Sequence, residues 1–313
     1  MKAPLFWSHR GPLAWAFSPL GLVTRAITAR RVARQGVALS IPVVCVGNAG
    51  VGGAGKTIVA LDLLRRLAPG AYALTRGYRG SLPGPLLVDL RQHTPAQVGD
   101  EALLLAEAAP TVVSRDRAAG ARLALAEGAG VIIMDDGLQN PALQKTLSLL
   151  VIDGGYGFGN ALLLPAGPLR EPVADAAARC QAAILIGEDE TGALALLPPD
   201  LPVLRADLLP DCAQPLGRRP VFAFAGIGRP GKFFRSVLAL GADITGTREF
   251  PDHHVYTAAD ATALLNAAAD KGATLVTTAK DHVKLPPSLR DATLVVTARL
   301  AWEDEEALEA LLP

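Results

Sequence analysis

Apolar residues along this chain follow two rhythms. Short, nearly unbroken runs occur at 41–47 ("IPVVCVG"), 71–75 ("AYALT"), 111–114 ("TVVS"), 130–136 ("GVIIMDD"), 147–153 ("LSLLVID") and 182–187 ("AAILIG"). Strands buried on both faces read this way. Between the runs, over 57–68, 99–109 and 116–128, apolar groups return at helical spacing, as at Ile58, Leu61 and Leu64 beside Ala60, Leu63 and Leu67. The alternation predicts a doubly wound parallel α/β sheet. A Pro- and Gly-rich stretch, "LLPAGPLREP" (163–172), marks a softer junction. Beyond it, "VFAFAGIG" (221–228), a helix over 231–240, "TREF" (247–250), a helix over 258–271, "TLVTTAKD" (274–281) and "ATLVVT" (292–297) predict a second, smaller α/β unit. The expected division is an N-terminal segment (1–36), a core domain (37–165) and a smaller C-terminal domain (166–313).

Between the first strand and the first core helix lies "GNAGVGGAGKT" (47–57). Gly50, four residues, then Gly55-Lys56-Thr57 fits the phosphate-loop pattern, and a strand before it with a helix after it is the context that pattern requires. The expected nucleotide cradle is Asn48, Ala49, Gly50, Val51, Gly52, Gly53, Ala54, Gly55, Lys56 and Thr57. Its glycines let backbone N–H groups turn toward phosphate oxygens, and the helix N-terminus adds the positive end of its dipole. Lys56 is placed to reach the β- and γ-phosphates of ATP, and the Thr57 hydroxyl to ligate Mg²⁺. The alternative, a glycine-rich turn that binds nothing, leaves both flanks unexplained.

Composition narrows the class. The 313 residues carry 30 basic and 30 acidic side chains, so no global field points to nucleic acid. Cys45, Cys180 and Cys212 are too widely spaced for a disulfide framework or a C-x-x-C metal site, which suits a reducing compartment. Mean hydropathy is +0.30, high for a soluble protein, yet the longest uncharged run (35–55) is strand plus phosphate loop, not a membrane span. The N-terminus carries more of the explanation: Phe6, Trp7, Trp15, Phe17, Leu20, Leu22, Val23 and Ile27 stand beside Arg25, Arg30, Arg31 and Arg34. Lys2 and Arg10 before an apolar run also resemble a signal peptide, but an exported protein has no ATP for its loop. The composition points to an interfacial amphipathic helix; a core-packing helix with a solvated arginine face is the alternative.

Three further groups carry chemistry. "VIIMDDGLQ" (131–139) is an apolar strand ending in Asp135 and Asp136, where a phosphate-loop fold places acids that hold Mg²⁺, unless they only begin a turn. "GDEALLLAEA" (99–108) opens a helix with Asp100 and Glu101, which equally complement a helix dipole. "FPDHHVY" (250–256) gathers Asp252, His253 and His254, a grouping that also serves as a local hydrogen-bonding cluster. Switch readings are weakened. Val51 stands where the deviant loop of chromosome- and septum-positioning ATPases has lysine, and in "TTAKDH" (277–282) Lys280 and Asp281 are adjacent, the wrong spacing for a guanine reader.

Taken in order, "FW…SPLGLV", "VVCVGNAGVGGAGKT", "TRGYRG" (75–80), "VGDEALLLA" (98–106), "DRAAGAR" (116–122), "IIMDDGLQN" (132–140), "LLPAGPLREP", "AFAGIGRPGKFF" (223–234), "FPDHHVY" and "TTAKDHVKLP" (277–286) resemble the tetraacyldisaccharide 4'-kinase family over nearly the whole chain. Two positions depart from the family pattern: Asn140 replaces the usual His, and Ala102 the usual Pro. The resemblance implies transfer of the ATP γ-phosphate to the 4'-hydroxyl of an acylated glucosamine disaccharide 1-phosphate, giving lipid IVA. That work is done at the cytoplasmic face of the inner membrane, with the anionic surface as a partner. It implies Asp100 as the base, with His253 orienting it or sharing the proton, and Lys56 meeting transferred charge. Thr57, Asp135 and Asp136 then hold Mg²⁺, and Arg76, Tyr78, Arg117 and Gln139 meet substrate phosphate and sugar. The competing readings are a membrane-associated phosphate-loop switch or chaperone ATPase and a kinase of a small soluble metabolite. The first leaves Asp100 and His253 idle; the second leaves the N-terminus unexplained.

Overall fold

The computed structural model describes residues 4–313; the first three residues of the N-terminal segment, Lys2 among them, lie outside it. That segment forms two short helices, α1 (Pro12–Phe17) and α2 (Gly21–Val32), joined by a 3₁₀ turn. The chain then alternates through β1 (Val43–Gly47), α3 (Lys56–Arg66), β2 (Ala71–Thr75), β3 (Leu86–Leu87), α4 (Pro95–Val98), α5 (Asp100–Ala106), β4 (Thr111–Val113), α6 (Arg117–Ala126), β5 (Val131–Asp135) and β6 (Leu147–Asp153). There follow α7 (Val173–Ala177), β7 (Ala182–Ile186), β8 (Val203–Cys212), β9 (Pro220–Ala225), α8 (Pro230–Ala239), β10 (Asp243–Glu249), α9 (Ala258–Ala269), β11 (Thr274–Thr278), α10 (Ala279–His282), α11 (Pro287–Asp291), β12 (Thr293–Trp302) and α12 (Glu305–Glu309). The α/β reading stands.

The strands form one sheet in the order β10-β9-β11-β12-β8-β7-β6-β1-β5-β2-β4-β3. All pairings are parallel except β3 with β4 and β8 with β12. The second exception shapes the molecule. The first half of β8 pairs parallel to β7 (Ala183 with Val203, Ile186 with Ala206), and its remainder pairs antiparallel to β12 (Ala206 with Trp302, Cys212 with Val296). β12 in turn runs parallel to β11, and β11 to β9. So β8 carries the chain beyond the C-terminal edge of the first strand group, and the direction of the second group is reversed. The C-terminal edges of the two groups therefore face each other. In open α/β sheets ligands bind outside that edge, and here both groups offer one to the same space.

Packing follows the two faces. Leu63, Leu64, Val59 and Ala60 of α3 pack with Val44, Val46, Ile133, Leu149 and Ile184 on one side of the central strands. Cys45, Ile132, Met134, Leu150 and Ile152 bury the other. Separate clusters, around Phe222, Phe224 and Phe250 and around Val221, Phe233 and Val276, fill the C-terminal group.

The N-terminal helices are built unlike ordinary surface helices. The residues they bury are small, Ala14, Gly21 and Thr28, while Leu13, Trp15, Leu20, Leu22, Val23 and Ile27 point outward, Leu22 at 67% exposure. Polar groups hold them down. Thr24 Oγ1 donates to the Leu164 carbonyl (2.6 Å) and Thr28 Oγ1 to the Arg170 carbonyl (2.9 Å). The expected single amphipathic helix is instead two helices whose large apolar groups and arginines both face away from the body. Among the described residues no helix is long and apolar enough to cross a membrane.

Candidate active site

The loop from Asn48 to Gly55 leaves β1 at its C-terminal edge. Gly52 and Gly55 take positive φ, +117° and +89°, where L side chains are strained. A Cβ on Gly55 would also stand 2.5 Å from Ile186 Cδ1, so the loop seats against β7. The Pro-rich stretch braces it from outside. Val51 N–H donates to the Pro168 carbonyl (2.8 Å), and Arg170 N–H to the Ala49 carbonyl (2.8 Å). Lys56, buried at the start of α3, donates to Asn48 Oδ1 (3.0 Å) and the Gly52 carbonyl (3.3 Å) and stands 3.6 Å from Asp136.

Across from the loop, β5 delivers its two acids in different states. Thr57 Oγ1 donates to Asp135 Oδ2 (3.1 Å), while Asp135 Oδ1 is buried with no hydrogen-bond partner. Burial, then the nearby Glu101 and Asp136 charges, push the Asp135 carboxyl up to about 7. Asp136 sits at φ +53°. Burial acts upward on it as well, but Lys56 and the two Arg170 hydrogen bonds (3.0 Å each) outweigh that and hold it at about 2. The neighbouring Arg117 is buried, donates to the Ser114 carbonyl (2.8 Å) and keeps Nε unpartnered. Burial lowers its guanidinium to about 10, against the pull of Asp135 and Asp136.

The second strand group supplies the other wall. His253, at φ +60° in the turn after β10, brings Nδ1 to 2.8 Å from Asp100 Oδ2 at the start of α5. Asp100 is nearly closed off from solvent, and burial alone would raise its carboxyl. The hydrogen bond from His253 and the charges of Lys280, His253 and Lys284 reverse this, so it lies below the usual range. Lys280 also reaches Glu101 (3.4 Å) and Asp252 (3.9 Å). From the turn after β9, Arg229 donates to the Gly53 carbonyl (3.3 Å) and pairs with Asp153 at the end of β6, which Lys232 also holds (3.0 Å).

The expected residues fall into three settings. Lys56, Thr57, Asp135 and Asp136 form one cluster, with Arg117 against it, and Asp100 and His253 form another. Arg76 and Tyr78 are exposed, the Tyr78 ring steeply inclined to that of His253 (5.7 Å between centroids, 62° between planes). Gln139 belongs to the scaffold. Its amide donates to the Asn48 carbonyl and Glu171 (2.8 Å each) and accepts from Arg170 (3.1 Å). Asn140 accepts its own turn's Ala142 N–H (2.9 Å). Sequence reasoning missed Arg170, Asp153, Arg229, Lys280 and Lys284. The signal available was their place inside quoted motifs, for Asp153 the charged end of an apolar strand.

A family model described as Tetraacyldisaccharide-1-P 4'-kinase matches residues 13–313. A relative from Rhodospirillum centenum, named tetraacyldisaccharide 4'-kinase, is 53% identical over 323 residues, covering 100% of this chain and 96% of its own length. One of the same name from Gluconacetobacter diazotrophicus is 54% identical over 319 residues, with 100% and 97% covered. A solved structure described as the "apo" form of LpxK from Aquifex aeolicus in complex with ATP superposes with a TM-score of 0.76 at 27% identity, covering 96% of this chain and 98% of that one.

Proposed function

Since the chain belongs to the tetraacyldisaccharide-1-P 4'-kinase family, and so is an ATP-dependent kinase of lipid A biosynthesis phosphorylating the 4'-hydroxyl of tetraacyldisaccharide 1-phosphate, we propose how its residues divide that work. The first strand group, β7 included, holds the nucleotide, and the second brings His253 to it. The loop from Asn48 to Thr57 cradles the ATP phosphates, with Lys56 meeting the charge that grows on the transferred group. Thr57, Asp135 and Asp136 would hold Mg²⁺, which when bound would supply neutralisation of phosphate charge. The unpartnered Asp135 Oδ1 is the observation that fits a cation there. The donor set is oxygen only, as Mg²⁺ prefers. Arg76, Tyr78 and Arg117 contact the substrate's phosphate and sugar.

The step itself is a displacement. The sugar O–H bond breaks as its oxygen bonds the γ-phosphorus, the bond to the departing ADP oxygen breaks, and the proton goes to Asp100. A sugar hydroxyl is a very weak acid, so a positioned acceptor matters as the O–P bond forms. His253 orients that carboxylate and shares the proton's charge. The observation that carries this reading is the 2.8 Å contact between His253 Nδ1 and Asp100 Oδ2, made across the two strand groups.

The outward apolar groups of α1 and α2, together with Arg25, Arg30, Arg31 and Arg34, rest on the anionic surface of the cytoplasmic face of the inner membrane. Incubation with γ-labelled ATP and tetraacyldisaccharide 1-phosphate in detergent tests the function. Label entering the organic-extractable lipid is the expected result. Release of labelled inorganic phosphate alone would mark a switch ATPase instead.

A further inference from the structure

One buried charged cluster, beside Asp100, links the base to the His253 turn. Lys284, on the turn after α10, is only 4% exposed, as is Asp100. Its ammonium stands 2.7 Å from Asp281 Oδ1 and 4.0 Å from Asp100 Oδ2, over the ring of Tyr256 (5.6 Å to the centroid). The ammonium is thus ion-paired with Asp281 and lies just beyond hydrogen-bond distance of the base. Asp281 is itself fully buried. Its Oδ2 accepts from Gly226 N–H (2.9 Å) and Thr278 Oγ1 (2.8 Å). The Gly226 carbonyl then accepts His253 N–H (3.1 Å), the bond that secures the left-handed turn at His253. A Cβ at Gly226 would lie 3.0 Å from Asp281 Oδ1, so backbone and carboxylate are in close contact.

We propose that Lys284 is a positioning residue for phosphoryl transfer, acting through Asp281 on the His253 turn and through its own charge on Asp100. The proposal rests on the reading of Asp100 as base. A scaffold role alone accounts poorly for the arrangement: removing two charges from water is costly, and an apolar pair of similar volume stabilises as well or better. A charge kept 4.0 Å from the base has a consequence an apolar pair lacks, because it favours the ionised carboxylate. The groups that face the Asp100–His253 pair are Glu101 on α5, Lys280 and Asp281 on α10, Lys284 beyond it, Asp252 in the His253 turn (3.7 Å from Nε2) and the ring of Tyr78. Lys284 stands 4.0 Å from the Asp100 carboxylate, and Lys280 pulls on it in the same direction and more strongly. Lys284 adds to that field and is distinguished by its link through Asp281 to the His253 turn.

The test is Lys284→Met in the full-length protein, in the wild-type and Asp100→Ala backgrounds. Expected in the wild-type background is a fall in kcat of about tenfold or more with the KM for ATP within about twofold. The acid limb of the kcat profile should move up by about one pH unit, since loss of a cation raises the pKa of its neighbouring acid. In the Asp100→Ala background the same change should alter kcat less than about twofold, because the group it acts on is gone. An equal fall in both backgrounds with an unmoved acid limb overturns the proposal and leaves Lys284 as scaffold. Near wild-type activity in Asp100→Ala by itself overturns the base assignment instead. Lys284→Gln, which keeps a donor for Asp281 without the charge, carries the same test if the methionine variant does not fold.

Discussion

Lys56 and Asp100 show what single side chains do here and how their removal should read. Lys56 points into the loop it closes, held by Asn48 and Gly52, so its absence leaves the backbone cradle in place. We predict that Lys56→Ala lowers kcat by about 10²–10³ with an unchanged melting temperature. A folded variant turning over at the wild-type rate would refute the loop's role. Asp100→Ala should cost about 10²–10⁴ in kcat with little change in either KM. If His253 acts on the same proton, as proposed, Asp100→Ala with His253→Ala should cost scarcely more than the worse single change, and multiplied losses would show two independent groups. The loop residues and the acids of β5 were legible because their spacing is local to one strand–turn–helix passage. Arg170, Lys280 and Lys284 were not: a lysine or arginine in a loop or a single helical turn reveals no partner until the fold sets one beside it.

At the scale of elements, helix and strand rhythms located nearly every piece of the two parallel groups. β8 escaped. "VLRADLLPDC" carries Asp207, Pro210 and Asp211 where a buried strand would be apolar. It is a strand because β12 pairs with it, residue for residue, from Cys212 to Ala206, a tertiary cause that no local pattern records. The caps were more local. Thr257 caps α9 by accepting Asp260 N–H (3.1 Å), and Asp260 returns the bond by accepting Thr257 N–H (3.0 Å) and His254 Nε2 (3.1 Å). The Thr257 bonds, first its backbone N–H, and then His254 hold Asp260 at about 2. A carboxyl lowered from 3.8 contributes stability that is fully present above that value and lost as pH falls through about 2. Asp260→Asn should therefore flatten the decline of stability between pH 4 and pH 2 in denaturant titrations. Thr257→Ala should cost about 1 kcal/mol at neutral pH. An acid decline in Asp260→Asn as steep as in the wild type would show that the cap carboxylate is not what fails there.

At the scale of the whole molecule, high hydropathy is explained partly by the depth of the sheet and partly by what the N-terminal helices turn outward. Each basic side chain near an anionic surface is worth roughly 1 kcal/mol, so on the proposed surface reading four arginines would favour reversible attachment by a few kcal/mol. Arg25 also meets Asp175 (3.7 Å), which the surface must compete with. Replacing Arg25, Arg30, Arg31 and Arg34 by Gln should release protein from anionic liposomes in co-sedimentation at moderate salt. The KM for lipid should rise and that for ATP hold. Equal sedimentation of both proteins would make these helices packing elements only.

The hydrogen bond from Thr28 to the Arg170 carbonyl has an experimental consequence of its own. Arg170 gives its N–H to the glycine-rich loop at Ala49 and its guanidinium to Asp136, so the floor under α2 is also a wall of the proposed phosphate site. A truncated chain starting near residue 36 removes the surface-facing groups and that floor together. Its loss of activity would be unreadable, since the proposed docking and the proposed nucleotide site would be disturbed at once. Replacing Leu20, Leu22, Val23 and Ile27 by serine or threonine leaves Thr24, Thr28 and their bonds untouched. Such variants should bind ATP like the wild type by calorimetry while losing the lipid surface, and Thr28→Val should do the reverse.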